Sequence, residues 1–119
     1  MSLSVNVYII SETGDWIDQA PEFDYQTLAG FESYRTKLYG SEAAKQLGLV
    51  ILPKLATQDL NISGEEVAQL QAEAELILQD VEKFAEQTDL DAEYIQSRVG
   101  NIVLACKIAI NAHGNVVIW

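Results

Sequence analysis

Two runs of apolar residues in the second half of the chain recur at alternating steps of three and four, and they leave few ways for it to fold. Val67, Leu70, Ala74, Ile77, Val81 and Phe84 form the first run, and Ile95, Val99, Ile102, Cys106 and Ala109 form the second. That spacing lines each run along one face of an α-helix, as the a and d positions of a coiled coil do. Thr88-Asp89-Leu90-Asp91 lies between them and supplies a polar break and the cap of the next helix. The pattern predicts one helix over residues 64–87, a second over 91–112, and an antiparallel hairpin between them. In that hairpin Phe84 meets Ile95, Val81 meets Val99, and Ile77 meets Ile102.

The ends carry their own signals. Ser63 followed by Glu66 has capping-box spacing, in which hydroxyl and carboxylate each satisfy a free backbone amide. His113-Gly114 ends the second helix, and Asn115 to Trp119 closes the chain as a β-branched strand. On one side of the seam Leu78, Ala85, Val103 and Ile110 are apolar and are expected to face a sheet. On the other, Glu66, Glu73 and Asp80 are expected to face water with Arg98, an exposed Asp80–Arg98 pair contributing ~0.2–1 kcal/mol. From Val99 to Ala112 the helix is apolar almost all round, with Leu104 and Ile108 off the seam. Such a helix must be covered on several faces. If its own sheet, first helix and short helix leave it bare, a second subunit must cover it, and the protein is a homodimer.

The first half reads as strands and loops. Leu3 to Ser11 alternates, with Val5, Val7 and Ile9 on one face, as a half-buried strand does. Residues 11–21 hold Gly14, Pro21 and three acids around Trp16, and read as a loop. Phe23, Tyr25 and Thr27, then Tyr34, Thr36 and Leu38, suggest a hairpin over residues 22–39. Ser41 begins a two-turn helix that Gly48 ends in a left-handed conformation. Leu49–Leu52 and Leu60–Ile62 are expected to be short and extended. The chain is therefore expected to be a single α+β domain over residues 1–119. Residues 1–62 supply strands, loops and a short helix, 63–112 the helical hairpin, and 113–119 the last strand of a small, mostly antiparallel sheet.

At 119 residues and 49% hydrophobic content, such a domain can bury a core without metal or disulfide staples. The one cysteine, Cys106, lies on a helix seam, which fits a reducing cytoplasm. Residues 1–10 lack the charged start of a signal peptide, and no run approaches the ~18 apolar residues of a membrane span. A formal net charge of −11 repels phosphate backbones and anionic membranes, so neither nucleic acid nor membrane is expected as a partner. Ten acids lie between Glu65 and Glu93 against Lys83 alone, whereas residues 94–119 hold none. One flank is therefore strongly negative. A solvated, solubilising face is its ordinary account; its functional account is a docking surface for a basic protein, with Glu66, Glu73 and Asp80 as contacts.

Chemistry is sparsely signalled. His113 is the only histidine, at a helix end where an imidazole commonly caps carbonyls. No HExxH or CxxC occurs, and Glu12, Asp15 and Asp18 lack the spacing of a calcium loop, so no metal is expected. The seven glycines form no nucleotide-binding motif, and no cofactor is expected. Trp16, in a loop flanked by acids, is a candidate anchor for a protein partner. A second reading places a small ligand or a reaction between sheet and hairpin, near Trp16, Tyr34 and Arg98. It requires a closed, polar-lined pocket there.

From Gly40 onward the chain carries Gly40-Ser41, Leu47-Gly48-Leu49, Leu52-Pro53, Gly64-Glu65-Glu66 and Tyr94-Ile95-x-x-Arg98-x-x-Asn101-Ile102. In these it resembles a group of short acidic bacterial proteins of unknown function, some of them cyanobacterial. The resemblance spans residues 40–119 and implies no activity and no site residues. In size and acidity the chain is also similar to the small cytoplasmic immunity proteins that neutralise bacterial toxins, an analogy of type.

Overall fold

A computed structural model describes residues 2–119, and it is an α+β fold. Five strands, β1 (Ser2–Ile10), β2 (Trp16–Asp18), β3 (Leu28–Phe31), β4 (Leu60–Ile62) and β5 (Asn115–Ile118), form one antiparallel sheet. Four helices accompany it: α1 (Glu42–Gln46), α2 (Glu66–Gln79), α3 (Val81–Thr88) and α4 (Ala92–Ala112). β1 is the hub. β5 runs along one edge of it from Val5 to Tyr8, and β4 continues outward from β5. On its other edge β3 pairs with the Ser2–Ser4 end and β2 with the Tyr8–Ile10 end. The edge strands β2, β3 and β4 are three or four residues each, which leaves little edge for another chain to extend.

Residues directly opposite in a ladder point to the same side, so register sorts the sheet into two faces. Leu3, Val5, Val7, Val116, Ile118, Leu60 and Ile62 point inward and are buried. They meet the apolar seams of the helices: Val67, Leu70, Ala74, Ile77 and Phe84, with Ile95, Val99, Ile102, Cys106 and Ala109, lie in the same core. The seams read from spacing are the faces that are buried.

Several boundaries differ from expectation. The first helix begins at Glu66, because Gly64 sits in the left-handed region at φ +61°, and no side chain caps the start. It also breaks at Asp80 (φ −115°, ψ 30°), where α2 ends and α3 begins. Asp is a weak helix former, and no glycine or proline marks the place. The second helix is as expected: Asp91 caps α4 by accepting from the Tyr94 amide at 2.8 Å, and His113 ends it at φ 53°. Ser41 likewise accepts from the Ala44 amide at 3.2 Å, and Gly48 turns at φ +86°.

Residues 22–39 do not form a hairpin. Asp24–Thr27 is a 3-10 turn, β3 pairs with β1, and Arg35–Tyr39 is a single π-helical turn. Phe23 and Tyr25 stack on each other at 5.5 Å instead of alternating into a core. Residues 11–21 are not all loop either, since Trp16–Asp18 returns along β1 as β2. Nor is Leu49–Leu52 extended: Leu52–Ala56 is a 3-10 turn with Pro53 in its first turn.

The side of α4 that meets the sheet is not the one expected. Leu104, Ala105 and Ile108 lie against Val5 and Val7 of β1, whereas Ile110 is 47% exposed. Asn101 reaches the same layer, its amide donating to the carbonyls of Tyr25 at 3.0 Å and Leu28 at 2.8 Å. The off-seam Leu104 and Ile108 are thus partly buried against β1.

Candidate functional site

The three acids of the expected flank do not act alike. Glu66 and Asp80 are exposed, but Glu73 is buried at 6% exposure. Its Oε2 accepts from the Val50 and Ile51 amides at 2.9 and 3.0 Å, and its Oε1 from the Ile51 and Leu52 amides at 3.1 and 2.9 Å. One carboxylate therefore satisfies three consecutive amides of the loop that enters the Leu52–Ala56 turn. Glu73 is a structural clamp and not a partner contact, which corrects the expectation for it.

Tyr34 and Arg98 share a cluster, and Trp16 is not in it. The Arg98 guanidinium carbon sits 4.4 Å from the centroid of the Tyr94 ring, and Tyr34 meets the same ring edge-on at 5.7 Å. Phe31 stacks on the Tyr94 ring as well, at 5.2 Å. Arg98 makes no ion pair with Asp80; the ion pairs among the described residues are Arg35 with Glu32 and Asp59, and Lys45 with Glu42. Burial, with the nearby Tyr94 and Asp91 and against the pull of Arg98, pushes the Tyr34 phenol up to about 12, so it stays protonated at neutral pH and serves as no base. Burial, helped by Glu75, pushes the Cys106 thiol to about 12 as well, which leaves it inert as a nucleophile.

The space between sheet and helices is filled. The cavity between β1 and α4, lined by Val5, Val7, Pro21, Gln26, Leu104 and Ile108, measures about 10 Å³, roughly the minimum for one water. A wider concavity of about 600 Å³ lies between α1 and the α3–α4 turn, but it is open, with Lys37, Glu42 and Asp89 on its rim. Among the described residues no three His, Cys, Asp or Glu side chains group to hold a metal ion, and no helix is long and apolar enough to cross a membrane.

The outer face of the sheet is different. Ser4, Asn6, Tyr8 and Ile10 of β1 share it with Trp16 and Asp18 of β2, Val117 and Trp119 at the β5 end, and Asn61 of β4. The Trp16 indole stacks on the Tyr8 ring at 3.6 Å and 10°, and Trp119 lies 6.1 Å from Trp16. Each ring is pinned by a polar group. The Trp16 Nε1–H donates to Asp18 Oδ1, the Trp119 Nε1–H to Asn6 Oδ1 at 2.9 Å, and the Tyr8 hydroxyl to Asn61 Oδ1. Tyr8 is buried beneath this layer, yet Trp16 and Trp119 remain 45% and 51% exposed, with exposed Ile10 beside them.

Charge on this face has one sign. No strand contains a lysine or arginine, and the first basic residue of the chain is Arg35. That guanidinium is already engaged by Glu32, Asp59 and the carbonyls of Leu55 and Gln58. Asp18 lies on the platform, and Glu12 and Asp15 lie in the β1–β2 turn beside it. Trp16 is therefore exposed and flanked by acids, and Trp119, at the end of the last strand, extends the same layer. Sequence reasoning missed Tyr8, Asn6 and Asn61, which alternation placed on the polar side of their strands without showing that they would meet. No protein-family model matches this chain, and neither curated proteins nor solved structures show a significant match to it.

Proposed function

We propose that the protein is an interaction module that docks on a basic protein partner, as an immunity protein does on the toxin it neutralises. The observation that carries this reading is the uncovered outer face of the sheet, where half-exposed Trp16 and Trp119 sit among acids with no basic residue on any strand. Large exposed aromatics are the usual anchors of protein interfaces, and charge of one sign around them steers a partner of the other. The contact surface is centred on Trp16 and Asp18, with Glu66 and Asp80 adding to the negative field from the helices. A catalytic or small-ligand reading has less support, because Trp16 is apart from Tyr34 and Arg98 and the space between sheet and helices is closed.

The test is capture from the cells that make the protein, at low and high salt, with wild type and Asp18→Lys side by side. The wild type should retain a basic protein at low salt, release it as salt screens the charges, and lose it on Asp18→Lys. Retention of nothing at low salt, or retention indifferent to both salt and the substitution, would refute the reading. Sedimentation of the protein alone shows in the same experiment whether the partner is a second copy of the chain.

A further inference from the structure

We infer that the Tyr8–Trp16–Trp119 platform recognises arginine side chains, discriminating guanidinium from ammonium. This rests on the reading of the outer face as a docking surface for a basic partner and specifies the chemistry that the face selects.

A bare acidic surface does not distinguish lysine from arginine. A flat aromatic layer does. Guanidinium is planar and weakly hydrated and stacks on indole and phenol rings, whereas ammonium keeps its water and acts as a point charge. Trp16 rests one ring face on Tyr8, has the Trp119 ring 6.1 Å away at 25°, and is still 45% exposed, so part of the indole layer remains within reach of a planar group. Beside it, Asp18 gives one oxygen to the Trp16 indole N–H. The other oxygen has no protein donor within the described residues and remains able to accept from a guanidinium N–H.

Pinning adds to the selectivity. The three rings are held by Asp18, Asn6 and Asn61, so their planes are set before any partner arrives and little side-chain entropy is lost on stacking. The fold already uses this contact internally, with Arg98 over Tyr94 at 4.4 Å. No lysine or arginine of the strands competes for the outer rings.

The chain has two tryptophans, so its indole N–H groups give two NMR signals that report the platform directly. The full protein is titrated with three flexible peptides of equal length, alternating glycine with arginine, lysine or citrulline. The arginine peptide should move both indole signals and saturate at a concentration about three- to thirty-fold below the lysine peptide, with citrulline weaker than either. Trp16→Ala should abolish the difference, and Trp16→Phe should restore part of it if Trp16→Ala disturbs the fold. Equal saturation by arginine and lysine at these signals would overturn the guanidinium inference while leaving a basic partner in place. Indole signals that no peptide moves would overturn both. Citrulline equal to arginine would also overturn both, since stacking would then be indifferent to charge.

Discussion

Removal of the Glu73 carboxylate should destabilise this protein more than any other single acid-to-neutral change. The carboxylate accepts from the amides of Val50, Ile51 and Leu52 at 2.9–3.1 Å, and the Ile51 and Leu52 amides are buried. Glu73→Ala leaves those two without acceptors, at about 1–3 kcal/mol each, and exposes a small cavity beside Leu70 and Ile77. The expected loss is about 3–5 kcal/mol. For a chain of 119 residues the total stability is about 6–18 kcal/mol, so the variant folds but is visibly weakened. Glu73→Gln keeps one acceptor oxygen and turns an NH₂ donor toward an amide donor, and should lose about half as much.

Urea unfolding measures this. With m about 1.5 kcal/mol per molar, a loss of about 3 kcal/mol moves the midpoint down by about 2 M at unchanged m. Glu66→Gln and Asp80→Asn, both exposed, are the controls and should stay within about 0.5 kcal/mol of wild type. Hydrogen exchange adds a local readout, since the Ile51 and Leu52 amides should lose protection in Glu73→Ala before the strands do. If Glu73→Ala and Glu73→Gln both behaved like the exposed controls, the clamp would be refuted.

The helix ends, the polar core and the buried acids give the other tests. His113 and Asp89 both stand in the left-handed region, at φ 53° and 58°, so His113→Gly and Asp89→Gly should each raise stability by about 0.5–1 kcal/mol in the same urea assay. Asn101→Leu removes the donor to the Tyr25 and Leu28 carbonyls and should cost about 1–3 kcal/mol, with the 3-10 turn over Asp24–Thr27 loosening first by hydrogen exchange. Burial raises the folded pKa of Cys106 from 9.0 and of Tyr34 from 10.0, each to about 12; stability is therefore full below pH 9 and falls as pH rises from 9 to 12. Thermal melts across that range check it, and Cys106→Ala should flatten the part of the decline between pH 9 and 10.

The sequence is most legible where one local period decides the outcome. Leu70, Ile77, Ile95 and Ile102 are fully buried because a 3.6-residue repeat can hide such side chains only on one face. Ser41 and Asp91 cap their helices because the first-turn amides lie within reach of their own side chains. What depends on distant partners is not legible in this way. Glu73 looks like one of a row with Glu66 and Asp80, seven residues apart, yet its acceptors' partners lie 21–23 residues upstream. Its place three residues after Leu70 and four before Ile77 was the available signal, since that spacing turns it toward the seam. Likewise β2 is three residues in an acid-rich stretch, too short for alternation to register.

The two tryptophans on the outer face admit a structural account, since Trp16 covers Tyr8, and a functional one, and the two separate at Asp18. Asp18→Asn keeps an acceptor for the Trp16 indole N–H and removes the charge beside it. If the layer serves only to shield Tyr8, the substitution changes neither stability nor binding. A docking platform behaves otherwise: stability stays within about 0.5 kcal/mol, while affinity for the arginine peptide falls severalfold and its salt dependence weakens. A sheet whose inner face is closed by helices needs only polar residues on the other side, as Ser4 and Asn6 of β1 supply. Two half-exposed indoles oriented by hydrogen bonds exceed that need, and a charge-dependent ligand is what would use the excess.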